Sequence, residues 1–128
     1  NITAAKQAQV SSVSIFCTNN TSSVVNSSLM IYYDRGYIGA GFFGSNLVKQ
    51  LLCSPDTWYH ICVVYNNTNL YVYLNGTLLG SVTGTLASTT GFMLGNIATS
   101  GTWPFSGYID DFRITNGIGR YPYLHNLR

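Results

Sequence analysis

Residues 58–81 read WYHICVVYNNTNLYVYLNGTLLGS. Trp58 to Tyr65 is a dense run of β-branched and aromatic residues, and Leu70 to Leu74 alternates Leu-Tyr-Val-Tyr-Leu. Asn66 to Asn69 between them is a short polar loop of residue types that tolerate turn conformations. Asn75-Gly76 ends the second strand with a dipeptide suited to a tight turn at positive φ, beyond which Thr77 to Leu79 folds back. Leu70, Val72 and Leu74 fall on one face and Tyr71 and Tyr73 on the other. This is an antiparallel meander with two apolar faces to cover, which places it in the middle of a sheet. Trp58 is read as a core residue.

Working outward, turn signals recur about every ten residues and no stretch carries a convincing helical period. Val13 to Cys17 reads as a strand, followed by a polar loop to Ser28. Leu29 to Tyr33 is the next strand, Asp34-Arg35-Gly36 its turn, and Tyr37 to Phe43 a strand whose glycines suit close packing under another layer. Leu47 to Cys53 is a further strand. After the meander, 82–90 reads as irregular, Phe92 to Gly95 as a short strand, and Gly107 to Thr115 (GYIDDFRIT) as the last one. The pattern specifies an all-β, two-sheet antiparallel sandwich of the jelly-roll type. Residues 1–12 form an N-terminal arm, 13–121 the sandwich and 122–128 a C-terminal tail.

The chain has 128 residues, 46% of them hydrophobic, enough for one domain with a real core. Charged residues make up only 8%, against roughly 25% in ordinary soluble domains. Such a surface is kept wet by Asn, Ser, Thr, Gly and Tyr, a composition common in secreted, glycan-coated or assembled proteins. Six basic residues lie scattered, with no run to follow a phosphate backbone, so nucleic acid is not an expected partner. No apolar stretch approaches the roughly 18 to 20 residues of a membrane helix. The sequence starts at Asn1 rather than Met, as expected of a processed form or the ordered part of something longer.

Three stretches in order carry a resemblance: Trp58 to Tyr65, Leu70 to Gly76, and Phe105 to Asn116. Together they resemble the laminin-G-like branch of the concanavalin A-like jelly rolls, which includes pentraxin-like modules and modules of phage and surface proteins. Phe92 to Gly95 falls where that family has a strand ending in Gly, and the resemblance spans Ile15 to Tyr121. Family members open with a strand pair ahead of the segment matching Val13 to Cys17, and Asn1 to Ser12 lacks its aromatic-rich pattern. The resemblance therefore implies a sandwich one piece short, completed by a part outside this chain or by a strand from a neighbouring copy.

The candidate chemistry is sparse. The four carboxylates are Asp34, Asp56, Asp110 and Asp111, with no glutamate, so the Glu-based acid and nucleophile of concanavalin-like glycoside hydrolases have no counterpart. Adjacent Asp110 and Asp111 would point to opposite faces of a strand, which does not suit a paired-carboxylate mechanism. His60 is read as packed and hydrogen-bonded, and Cys62 as a small buried hydrophobe. The expectation is no enzyme. The resemblance implies calcium as the one ion to consider, through Asp110 or Asp111 with Asn96 or a loop carbonyl. The alternative is that one Asp caps loop amides and the other pairs with Arg113 or Arg35.

Three cysteines without CxxC spacing argue against a zinc site, and Cys17 with Cys53 are the candidates for a disulfide. Asn-x-Ser/Thr sequons occur at Asn1, Asn19, Asn20, Asn26, Asn66 and Asn75, and all but Asn1 are candidates for a glycan. Trp103 and Tyr108, near a loop, are candidates for stacking on a sugar. The reading is a non-catalytic structural or adhesive module, extracellular or on a cell or virion surface, repeated in a fibre-like assembly. Its partners would be copies of itself or other surface proteins. The alternative is a glycan-binding lectin module, calcium-dependent or not.

Overall fold

The computed structural model describes residues 13–18, 26–44, 47–88, 91–96, 104–115 and 117. Eight strands run in the order β1 (Val13–Cys17), β2 (Leu29–Asp34), β3 (Tyr37–Phe42), β4 (Leu47–Leu52), β5 (Ile61–Tyr65), β6 (Asn69–Leu74), β7 (Thr77–Thr83) and β8 (Met93–Leu94). They form a five-stranded antiparallel sheet, β4-β3-β2-β1-β8, and a three-stranded one, β5-β6-β7. No helix occurs among the described residues. The fold is the expected all-β sandwich of two antiparallel sheets.

Turn chemistry sets the hairpins. Arg35 and Gly36, with φ of 48° and 96°, join β2 to β3 so that Tyr33 faces Ile38 and Asp34 faces Tyr37. Asn75 and Gly76, with φ of 50° and 83°, do the same between β6 and β7. Both are two-residue turns with positive φ at each centre, whose twist matches that of the flanking strands. The side chain of Asn66 closes the β5–β6 loop, accepting from the Thr68 and Asn69 amides at 3.1 and 2.7 Å.

The core lies between the sheets in two main clusters. At one end Tyr33, Ile38, Cys53 and Leu74 pack with Ile15, Tyr59, Ile61 and Phe105. In the middle Ala40, Phe42, Val48, Leu70 and Val72 pack with Val63, Tyr65 and Val82. Leu70 and Val72 are fully buried, worth about 2 kcal/mol each in apolar burial. Tyr65 ties the layers together. Its ring meets Phe42 edge-on at 5.9 Å, and its hydroxyl donates to the Gly84 carbonyl and accepts from the Leu86 amide, both at 3.1 Å.

Several expectations need correction. Among the described strands, the Trp58 hairpin forms a three-stranded sheet with β6 in its middle and β5 at its edge, rather than the middle of a larger sheet. Its first strand starts only at Ile61, and Trp58, expected in the core, is 56% exposed. The preceding Ser54 to Thr57 is exposed and carries Asp56 at φ 54°, which lifts the approach to β5 off the sheet. The third strand continues to Thr83, into the stretch read as irregular, because β6 offers it a partner as far as Asn69.

Residues 107–115 do not form a strand, apart from an isolated bridge at Gly107. Asp111 sits at φ 53°, which interrupts an extended backbone, so the two aspartates do not alternate across a pleat. The Cys17–Cys53 pairing also fails, since neither cysteine is in a disulfide. Cys17 lies on β1 and Cys53 just beyond β4, with β2 and β3 between. Three strand spacings of about 4.8 Å put them far beyond the roughly 7 Å Cα separation a disulfide tolerates.

Candidate functional site

The five-stranded sheet is wider than the three-stranded one, and the layers are aligned toward one side. β4 packs on β7, where Val48 lies against Gly80, and β3 packs on β6. The overhang is therefore at β1 and β8. Here Phe16, Phe92 and Phe112 form a mutual cluster with ring centroids 5.6 to 5.8 Å apart. Phe16 is buried, while Phe92 and Phe112 are 46% and 42% exposed.

Backbone bonds hold this corner together. The Gly95 amide donates to the Ile15 carbonyl at 2.8 Å, and the Phe105 amide donates to the Gly95 carbonyl at 2.8 Å. Phe105 anchors in the core cluster of Tyr33 and Leu74, and the chain beyond it runs out along the surface. Tyr108, Ile109 and Ile114 on that run are exposed, as is Leu94 of β8. Among the described residues the corner is aromatic and aliphatic in character, with Phe92, Leu94, Tyr108 and Phe112 exposed.

The sequence candidates come together only in part. Tyr108 is 66% exposed, as a stacking residue must be, whereas its proposed companion Trp103 lies outside the described residues. Asp110 and Asp111 are exposed, and the Asp110 carboxylate accepts from the Asp111 amide at 2.9 Å, the amide-capping role. Of the two arginines read as alternative partners for the other aspartate, Arg35 is engaged elsewhere. Arg35 is bound to its neighbour Asp34 through two bonds of 2.9 and 3.2 Å. Among the described residues, no group of three or more His, Cys, Asp or Glu is placed to hold a metal ion.

His60 is exposed rather than packed, and its backbone pairs with Asn75, donating to Oδ1 at 2.9 Å and accepting from the Asn75 amide. Cys62 is half-buried, more open than expected. Burial pushes the Cys17 thiol up to about 11 and raises Cys53 as well, so both stay protonated near neutrality and neither is a ready nucleophile. Of the sequons, Asn26, Asn66 and Asn75 are exposed in turns, and Asn19 and Asn20 lie outside the described residues.

Sequence reasoning did not find the phenylalanine cluster. Its members come from β1, the approach to β8 and the 107–115 run, and no local pattern links them.

The family model described as the concanavalin A-like lectin/glucanases superfamily, of laminin-G type, matches residues 2–118. The chain belongs to this superfamily. No curated protein and no solved structure matches it. Membership accounts for the two-sheet architecture and for the order of the Trp58, Leu70 and Phe105 stretches. In this laminin-G-like module no described helix is long and apolar enough to cross a membrane.

Proposed function

We propose that the chain is a non-catalytic structural or adhesive module, displayed outside cells or on a virion surface, that works as a repeated subunit of a larger assembly. The observation that carries this reading is the amount of large apolar side chain left on the surface. Trp58, Phe92, Leu94, Tyr108, Ile109, Phe112 and Ile114 are each more than two-fifths exposed in a chain with only 8% charged residues. Large exposed apolar areas mark interaction surfaces. The shortage of catalytic groups and the laminin-G-like family support the same reading.

A second reading, a glycan-binding module, is favoured by exposed Tyr108 beside the Asp110 and Asp111 carboxylates and by the lectins of the superfamily. Calcium held by those carboxylates and loop carbonyls would then order the corner for a sugar. Size-exclusion chromatography with electron microscopy, alongside a glycan array with and without calcium, separates the two. Oligomers or filaments without glycan signal support assembly, whereas a monodisperse monomer that binds glycans contradicts it. Intact mass before and after glycosidase treatment reports whether Asn26, Asn66 or Asn75 carries a glycan.

A further inference from the structure

Asn75-Gly76 does more than turn β6 into β7. Of the chain's asparagines, only Asn75 and Asn116 precede a glycine. A following glycine has no side chain to keep its backbone nitrogen away from the asparagine carboxamide, and a Cβ built on Gly76 would meet nothing within 4 Å. Asn75 is exposed to water. One dipeptide thus holds the reactants of an intramolecular acyl transfer. The Gly76 nitrogen, having given its proton to solvent base, can attack Cγ of Asn75, close a five-membered succinimide and expel ammonia. Water then opens either ring carbonyl and leaves aspartate or its iso-aspartyl isomer at position 75.

The folded turn opposes this step in two ways. Its φ values of 50° and 83° are those of a type I′ turn, whose first central residue has ψ of about +30°. That ψ sets the Gly76 nitrogen on the far side of the Cα–C bond from Cβ, whereas ring closure needs the two eclipsed. The carboxamide is also tied across the sheet. Its Oδ1 accepts from the His60 amide at 2.9 Å, while the Asn75 amide donates to the His60 carbonyl at 2.7 Å. Leu74 pairs with Ile61 on one side and Thr77 on the other, which holds the backbone of the turn shut.

We infer that Asn75 is a latent deamidation site, protected by the hairpin and converted only when the end of β6 opens. Conversion changes the sheet. A carboxylate at 75 puts a charge into residues 57–109, a stretch with no Asp, Glu, Lys or Arg. The iso-aspartyl form adds a methylene to the main chain of a two-residue turn, so Leu74 and Thr77 lose their register. Opening of the sheet is thereby coupled to a lasting change at its tip.

The test is peptide mapping by tandem mass spectrometry on the full chain made without N-glycosylation, incubated at neutral pH either folded or in urea. In urea, Asn75 should convert at a rate comparable with Asn116, whose neighbour is also glycine. In the folded chain Asn75 should convert about tenfold or more slowly, because the reaction then proceeds only through the open fraction. His60→Pro removes the amide that donates to Oδ1, and should raise the folded-state rate severalfold with unchanged far-ultraviolet circular dichroism. Equal rates at Asn75 in the folded and unfolded chain overturn the inference, as does an Asn75 that stays intact in urea while Asn116 converts. An unchanged rate in a folded His60→Pro chain overturns the role of the cross-sheet bond. If that variant does not fold, the native chain with and without urea decides alone.

Discussion

Two stretches that both read as strands in the sequence end in opposite states. Asn69 to Leu74 (NLYVYL) lies between β5 and β7 with Leu70 and Val72 at 0% exposure. Residues 107–115 (GYIDDFRIT) form no strand apart from a single bridge at Gly107, with Tyr108 at 66% and Ile114 at 54% exposure. Part of the difference is polarity, since 107–115 carries Asp110, Asp111 and Arg113 where 69–74 carries no charge, and part is the supply of neighbours. β6 follows a short Asx-closed loop and precedes an Asn-Gly turn, so both of its neighbours are delivered by adjacent sequence at small entropic cost. The later segment must find a partner far away in the chain, and Asp111 at positive φ bends it before it does.

The largest expected effect contrasts these stretches directly. Leu70→Ala opens a cavity beneath Phe42 and Val48 and should cost about 2 to 5 kcal/mol in urea unfolding. Ile114→Ala should change stability by less than about 0.5 kcal/mol, because its side chain is mostly in water already. Equal losses at the two sites would break the comparison.

Gly84→Ala sharpens it on the β6 side. An added Cβ would stand 2.7 Å from the Phe42 ring, wedged where β7 leaves the sheet, so a loss of about 1 to 3 kcal/mol is expected. Gly76→Ala, with open space around it but φ of 83°, should cost nearer 1 kcal/mol through backbone strain alone. Calorimetric melting of both variants gives the ranking, which the reverse order would contradict.

Much of the fold was legible because its signals are local. Asn75-Gly76 and Asp34-Arg35-Gly36 announce their turns, and the alternation between them fixes register, so the seven strands from Val13 to Thr83 lie close to their expected places. Where the reading failed, the cause was partner availability. Trp58 continues the apolar run of β5 in sequence, yet the chain there has not reached β6, and nothing in the residue types says so. GYIDDFRIT has a strand's composition, but whether it joins a sheet depends on which edge is offered. The phenylalanine corner is assembled from three distant segments and left no local trace. Cys17 and Cys53 both end strand-like segments, and only sheet order shows that two strands separate them.

A smaller effect appears with alkali. Burial pushes the Cys17 thiol from 9.0 up to about 11, and burial, with the Asp34 charge second, pushes the Tyr32 phenol from 10.0 up to about 12. As pH rises past 9.0 the unfolded chain loses these protons while the folded chain keeps them, so stability is full below that pH and declines as it climbs toward 12. Cys17→Ala should flatten the first part of the decline, between 9.0 and about 11, in melting temperature measured against pH. An unchanged slope would place the loss elsewhere.

The central claim is that the molecule is organised around β6 and that the 107–115 run stands outside the cooperative sandwich. Native-state amide hydrogen exchange tests it residue by residue. The account predicts that amides of Leu70 to Leu74 exchange only through global unfolding, while those of Ile109 to Ile114 exchange orders of magnitude faster. Protection of Ile109 to Ile114 equal to that of β6 would contradict it.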